Sequence, residues 1–250
     1  MDGIFPLPFN TLLKWTPGTR EEEALAQTYA WKMGLPVPRM LSYGSHPPGK
    51  NYPTSSGSII MTRIPGETLN NVLESLSNTQ LETIATDLGS IVTRMRRFRS
   101  PYGSSICNVI GGNIRTVRVT DMSIGPCPDF PTFHRDLVWA ANPSIKDYDH
   151  HRESFRRLLD KQYAIVFTHG DLLSHNIMVQ DGHVTGLIDW ECSGWMPEYW
   201  DFTSMLRGPR RTEDDEWLRI WKAIPINCYH EEYESEFSLW RLTQDSWSYG

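Results

Sequence analysis

Residues 164–191 constrain the fold more than any other part of the chain. The apolar run Ala164-Ile165-Val166-Phe167-Thr168 reads as a buried strand and leads into His169-Gly170-Asp171-Leu172-Leu173-Ser174-His175-Asn176. Two short apolar runs follow, Ile177-Met178-Val179 and Val184-Thr185-Gly186-Leu187-Ile188, joined by Gln180-Asp181-Gly182-His183. An Asp-Gly pair between such runs is a strong hairpin signal. Asp189-Trp190-Glu191 then closes the stretch. Asp and Asn near strand ends commonly cap turns, but this ordered combination is far more specific than any one of its members. It fixes two carboxylates and an amide around one hairpin. Phosphoryl transfer needs such a set: one carboxylate orients the attacking hydroxyl and accepts its proton, a second holds the magnesium that bridges nucleotide phosphates, and an amide oxygen completes the metal site.

Composition narrows the class. The chain has 250 residues, enough for one large domain or two closely joined lobes. Hydrophobic residues make up 39% and charged residues 22%, which excludes a disordered chain. A formal net charge of -6 argues against a nucleic-acid partner, which calls for a basic surface. Cys107, Cys127, Cys192 and Cys228 form no CxxC pair, so zinc ribbons and thioredoxin-type motifs are excluded. Residues 1–10 lack a positive flank followed by a long apolar run, and no run approaches the ~18 apolar residues of a membrane span. The expectation is a cytoplasmic protein with free thiols, no membrane partner, and a monomeric or homodimeric state.

Along the chain, Thr11 to Trp15 reads as a strand, with Pro6 and Pro8 confined to its edge or its start. A helix follows, with Thr19 and Glu22 fitting a capping box and Gly34 the C-terminal stop. The i, i+3, i+4, i+7 rule puts Glu21, Ala24, Leu25 and Thr28 on one face. Leu35 to Leu41 is extended because of its prolines, and Gly44 to Gly57 reads as a surface hairpin loop. Ser58 to Ile64 looks like a buried strand. Leu81 to Phe98 is a helix with Leu81, Ile84, Leu88, Ile91, Val92 and Met95 on one face. Residues 100–132 are irregular, and a connection that long is either functional or covers a surface. Residues 133–159 read as helical in parts, and the remainder as helical and rich in Trp and acidic groups.

His169-x-Asp171-x-x-x-x-Asn176 follows the kinase catalytic-loop pattern, with Gly170 in the middle position. Together with Ile188-Asp189-Trp190 it resembles the signature of the aminoglycoside phosphotransferase and choline kinase superfamily. The run from Ile188 to Asp201, Leu35-Pro36-Val37-Pro38, and Met61-Thr62-Arg63-Ile64-Pro65-Gly66 are most similar to fungal-type aminoglycoside phosphotransferase-domain proteins. The resemblance covers roughly residues 4–205. It implies an α+β, protein kinase-like bilobal fold: a truncated N-terminal β-lobe in residues 1–65 and a mostly helical C-terminal lobe in residues 66–250. It implies ATP and Mg²⁺ as cofactors and a small-molecule hydroxyl as acceptor. By the same resemblance Asp171 is the catalytic base, His169 braces the loop, Asn176 is a metal ligand and Asp189 the main magnesium ligand. Asp201 ties its helix to the loop. Lys14 pairs with the nucleotide phosphates and with a helix glutamate, for which Glu21 fits best and Glu22 and Glu23 are alternatives. Met61, Thr62 and Ile64 form the hinge beside adenine, with backbone groups of Thr62 and Ile64 as donors and acceptors. Glu191 receives no role.

Two features stand outside this pattern. His134-Arg135-Asp136-Leu137 imitates a catalytic loop, but Asn142 lies one residue too far on and no hairpin with an aspartate follows, so it reads as a helix start. The chain also has no G-x-G-x-x-G, and thirteen residues before Lys14 leave no room for two strands and a covering loop. That motivates a second reading, a non-phosphorylating relative: a pseudokinase-like binding module, or an enzyme that reuses the pocket. The acidic runs Glu213-Asp214-Asp215-Glu216 and Glu231 to Glu236 read as solvated faces. The aromatic tail (Trp217, Trp221, Tyr229, Tyr233, Trp240, Trp247) reads mainly as core packing.

Overall fold

The computed structural model describes residues 3–16, 18–47, 56–119, 123–139, 146–206, 215–225 and 229–243. The centre of the Gly44–Gly57 segment, Asn142, Glu213, Asp214, Cys228 and Trp247 lie outside them.

A four-stranded antiparallel sheet and one helix build the first lobe. Strands β1 (Ile4–Leu7) and β2 (Thr11–Thr16), helix α1 (Glu21–Lys32), and strands β3 (Met40–His46) and β4 (Ser56–Thr62) follow in chain order, with sheet order β1-β2-β4-β3. Sequence reading gave the strand at Thr11–Trp15; the structure adds β1 ahead of it. β1 is the sheet edge and contains Pro6, where a missing N–H costs no ladder bond. Lys14 pairs in register with Ile59, and Leu12 with Met61. Directly opposed residues share a face, and Ile59 and Met61 pack there with Ala24 of α1 in a small core. Lys14 therefore emerges on the face that α1 covers.

The capping box expected at Thr19 and Glu22 does not form. Arg20 is the N-cap and makes no side-chain cap bond, while Thr19 Oγ1 instead accepts from the Thr16 N–H at 3.2 Å. The C-terminal stop is as expected: Gly34 follows α1 with φ +73°, a left-handed position that glycine takes at least cost. The face α1 buries is Glu23, Ala24, Ala26, Gln27 and Ala30. Ala26 and Ala30 let the helix approach the second lobe closely, and both belong to its principal core.

The second lobe comprises β5 (Glu67–Thr68), α2 (Leu69–Val72), α3 (Asn78–Met95), β6 (Cys107–Asn108), β7 (Ile114–Arg115), β8 (Ser123–Ile124), α4 (Phe130–Trp139), α5 (Tyr148–Arg156), β9 (Ile165–Thr168), β10 (Ile177–Gln180), β11 (His183–Leu187), β12 (Gly194–Pro197), α6 (Trp200–Ser204), α7 (Glu216–Ala223) and α8 (His230–Thr243). Helix α3 has a complete capping box, Ser77 with Gln80, and buries the six apolar residues its periodicity picked out. The β10–β11 hairpin turns on Asp181 and Gly182, both with positive φ, as the Asp-Gly pair requires. Its outer partner is β5, giving order β11-β10-β5. A second sheet, β6-β12-β9, lies behind the catalytic-loop sequence. His134 is buried inside α4 and stacks on Phe155, so its tripeptide is helix interior and not a second catalytic loop.

The acidic C-terminal faces are only partly solvated. Glu232 and Glu236 are buried: Glu232 accepts from Lys161 and from the Tyr163 hydroxyl, and Glu236 pairs with Arg118 at 2.7 Å. The second pair corrects the reading of this run as a solvated face. Periodicity assigns a glutamate to solvent unless a distant base is known, and Arg118 lies 118 positions away. Arg118 is itself buried, lies over the Trp200 ring, and donates to the Trp200 carbonyl, Thr203 and Ser204. It thereby joins residues 100–132 and α8 to α6. Replacing it by Met should strand the Glu236 carboxylate, at a cost of about 3–5 kcal/mol. Calorimetry should then show a Tm lower by on the order of 10 °C; an unchanged Tm would contradict this account. Trp217 and Trp221 are core residues, as expected of most of the aromatic tail.

Candidate active site

The loop after β9 is shaped by one glycine and one aspartate. Gly170 has φ +84°, and a Cβ there would lie 2.1 Å from the Cys192 carbonyl oxygen, so no other residue fits without moving the backbone. Buried Asp201, on α6, accepts from the His169 N–H at 3.1 Å and the Gly170 N–H at 2.8 Å. Burial raises its carboxyl above the ordinary range, while His169 and the two backbone bonds pull it back. Ser204, one turn on, donates to the Gly170 carbonyl. Asp201 thus fastens α6 to the loop, as the resemblance implied.

His169 holds the loop to the end of the hairpin's second strand. Its Nε2 donates to the Ile188 carbonyl at 2.9 Å, and its Nδ1 accepts from the Asp171 N–H at 3.3 Å, which fixes the tautomer. Trp190 packs against the ring, with centroids 4.6 Å apart, and stacks on Phe167. Asn176 donates its Nδ2 to both the backbone oxygen of Asp171, at 2.8 Å, and its Oδ2, at 3.0 Å. The Asn176 carbonyl accepts from the Ile188 N–H at 3.0 Å. Asp189 follows in left-handed conformation, φ 65° and ψ 69°, uncommon for a residue other than glycine and one that aspartate adopts more readily than most. His169, Asp171, Asn176 and the start of the Asp189 turn therefore form one bonded framework.

Lys14 reaches this framework from the first lobe. Its Nζ lies 2.7 Å from Glu23 Oε1 and 2.8 Å from Asp189 Oδ1. The helix partner is Glu23, which corrects the preference for Glu21: Glu21 is exposed and Glu23 is 3% exposed. The error lies in the rotation of α1. The helix sets Gln27 and three alanines inward, a face that carries little apolar signal. Burial opposes the charge on Lys14, but Glu23 and Asp189 outweigh it and hold the ammonium above its usual value. Burial pushes the Glu23 carboxyl up to about 7, with Lys14 opposing the rise and Asp189 adding to it.

The hinge residues divide. Met61 is buried in the first-lobe core. The Thr62 N–H donates to the Arg39 carbonyl at 3.0 Å, and its Oγ1 accepts from the Arg39 N–H, so that N–H is not the donor expected for a ligand. Its strand partner was invisible in sequence because β3 begins at a bulge beside it. Ile64 lies past the strand end with its side chain against Gly186, where a Cβ would lie 3.0 Å from Ile64 Cγ2.

Two residues joined to the site had no sequence signal. Arg115, from the irregular region, pairs with Glu191 at 3.1 Å and donates to the Gly18 carbonyl of the first lobe at 3.0 Å. His175 Nε2 lies 3.9 Å from Asp171 Oδ2. Burial, then Asp189, raise the Glu191 carboxyl, with Arg115 and Lys14 opposing. A cavity of about 320 Å³ adjoins Glu23 and Glu191, lined also by Arg20, Asn108, Asn113 and Arg115.

The model of the phosphotransferase enzyme family matches residues 9–234. Among solved structures, the apo form of a thermostable mutant of aminoglycoside phosphotransferase APH(4)-Ia is similar with a TM-score of 0.63 and 13% identity, over 94% of this chain and 79% of that one. ADP-bound aminoglycoside phosphotransferase APH(2'')-Ib is similar with a TM-score of 0.58 and 13% identity, over 98% and 82%. A choline/ethanolamine kinase family protein from Mesorhizobium loti gives 0.52 and 15%, over 96% and 75%. Identities this low speak for the fold, with its small sheet lobe and larger helical lobe. No curated protein matches the chain. With that fold, and with the family's model matched along almost its whole length, the chain belongs to the phosphotransferase enzyme family.

Proposed function

We propose that the chain transfers a phosphoryl group from ATP to a hydroxyl of a small molecule, in a cleft between a first lobe of residues 1–65 and a second of residues 66–250. The observation that carries this reading is the framework joining Asp171, Asn176 and Asp189, with Lys14 held against Asp189. Asp171, partly exposed and fixed by Asn176, orients the acceptor hydroxyl and takes its proton. Lys14 is a compact cation suited to nucleotide phosphates, and Ile64 offers backbone groups to the adenine ring. The similar APH(4)-Ia and APH(2'')-IIa structures include ternary complexes with AMP-PNP and hygromycin B and with ATP and streptomycin, which supports a nucleotide beside a polyhydroxylated acceptor.

The donor set fits a hard divalent cation. Asp189 supplies a carboxylate that is 40% exposed, and Asn176 commits its Nδ2 to Asp171 and so keeps its Oδ1. Buried Glu23 Oε2 has no hydrogen-bond partner beside them. Asp189 and Asn176 would hold Mg²⁺, which when bound neutralises phosphate charge.

Thermal-shift titration tests the reading. Mg-ATP at 100 times its Kd should add about 2.7 kcal/mol to apparent stability, seen as a raised Tm, and Lys14→Met should remove most of that rise. No rise at millimolar Mg-ATP would favour the non-phosphorylating alternative.

A further inference from the structure

We infer that Arg115 is a positioning residue for the nucleotide cleft proposed above: it latches the N-terminal end of α1 to the turn after Asp189 and so holds the two lobes closed on each other. The C-terminal end of α1 has its own ties to the second lobe. The Leu187 N–H donates to the Pro36 carbonyl at 2.8 Å, and Arg94 donates to the Gly34 carbonyl. The helix has 12 residues, so its other end lies about 18 Å away at 1.5 Å per residue. That end is the arm of a lever, and a small rotation near Gly34 moves it most. Lys14 bridges the lobes part of the way along, through Glu23 and Asp189. Arg115 holds the arm itself: its Nη1 serves both the Gly18 carbonyl and Glu191 Oε2.

Both ends of the latch are firm. Arg115 ends β7, where Ile114 pairs in register with Ile124 of β8 and both are buried in a second-lobe core. Gly18 lies in a turn where the Thr19 N–H donates to the Thr16 carbonyl at 3.1 Å and the Thr16 N–H to Thr19 Oγ1. The Thr19 carbonyl in turn accepts from the Gly57 N–H of β4 at 2.9 Å. Lys14 stands two residues before this turn and Glu23 four residues after it, while Glu191 stands two residues after Asp189. The latch therefore sets the gap that the Lys14–Asp189 pair spans. Glycine at 18 admits it, since a Cβ there would lie 2.9 Å from Arg115 Nη1. Apparent affinity falls with the fraction of protein in the binding-competent state, so opening the lobes weakens nucleotide binding. Once bound, the nucleotide's own contacts hold the lobes, and turnover of the filled site changes much less.

Arg115→Met should raise both Kd and KM for Mg-ATP roughly 10-fold, within the range common for coupling between sites, and change kcat much less. Arg115→Lys keeps the charge without the planar fork and should fall between. Gly18→Ala displaces the guanidinium with no change of charge and should weaken Mg-ATP in the same direction. Added to Arg115→Met it should do nothing more, because both remove one contact. In nucleotide-free protein, amide exchange over residues 18–23 should quicken in Arg115→Met while that of α3 stays as in wild type. A residue that only stabilised the fold would lower Tm and leave Kd and KM alone. Unchanged Kd and KM in Arg115→Met, or additive effects of the two substitutions, overturns the latch. So does equal exchange over residues 18–23 in the two proteins, whether or not nucleotide binds. A wild type that binds Mg-ATP and never consumes it would overturn the phosphotransferase reading alone, with the latch still read by Kd and exchange.

Discussion

Asp171→Ala should lower kcat for phosphoryl transfer by roughly 10²- to 10⁴-fold, the range a positioned general base contributes. The carboxylate sits early in the loop after β9, where Asp201 fixes the backbone of the two preceding residues, and its Oδ2 is held by the Asn176 amide at 3.0 Å. Alanine removes the proposed proton acceptor and leaves the nucleotide contacts proposed for Lys14 and Asp189 in place. KM for ATP should therefore change much less than kcat. Asp171 is only partly buried, so Tm should move little. Steady-state ATP consumption against a panel of hydroxylated acceptors reads the effect. A variant turning over as fast as wild type would remove Asp171 from the base role.

Asp201→Ala should cost most of the activity and much of the stability together. It leaves the His169 and Gly170 N–H groups buried without an acceptor. Each orphaned group costs about 1–3 kcal/mol, so the pair amounts to roughly 2–6 kcal/mol. For a chain of this size that lowers Tm on the order of 10 °C. The same change frees the loop carrying Asp171, so kcat should fall while the Mg-ATP thermal shift persists. Asp201→Asn keeps one of the two acceptor oxygens and should fall between wild type and alanine in both measurements. Calorimetry beside turnover assays distinguishes a positioning role from mere scaffolding: a scaffolding residue would lower Tm without lowering kcat in the fraction still folded.

The loop from His169 to Asn176, the hairpin and the place of Asp189 were legible in the sequence because their signals are local. Asp181 and Gly182 specify their own turn, six apolar residues of α3 repeat with the helix, and the spacing from His169 to Asn176 fixes which groups return to one loop. Contacts between segments far apart were not legible. The partner of Lys14 depended on how α1 is rotated, and that rotation is set by Ala26 and Ala30 packing on the second lobe. Arg115 bonds Gly18 across 97 positions, and Arg118 meets Glu236 across 118, with no periodic pattern to announce either. The Thr62 N–H was lost to Arg39 through strand register. The sequence alone thus determined the loop and the hairpin that gather Asp171, Asn176 and Asp189, since short-range backbone preferences suffice for that. Only the tertiary structure decided which charges neutralise which, because that choice rests on packing between surfaces that no stretch of sequence contains by itself.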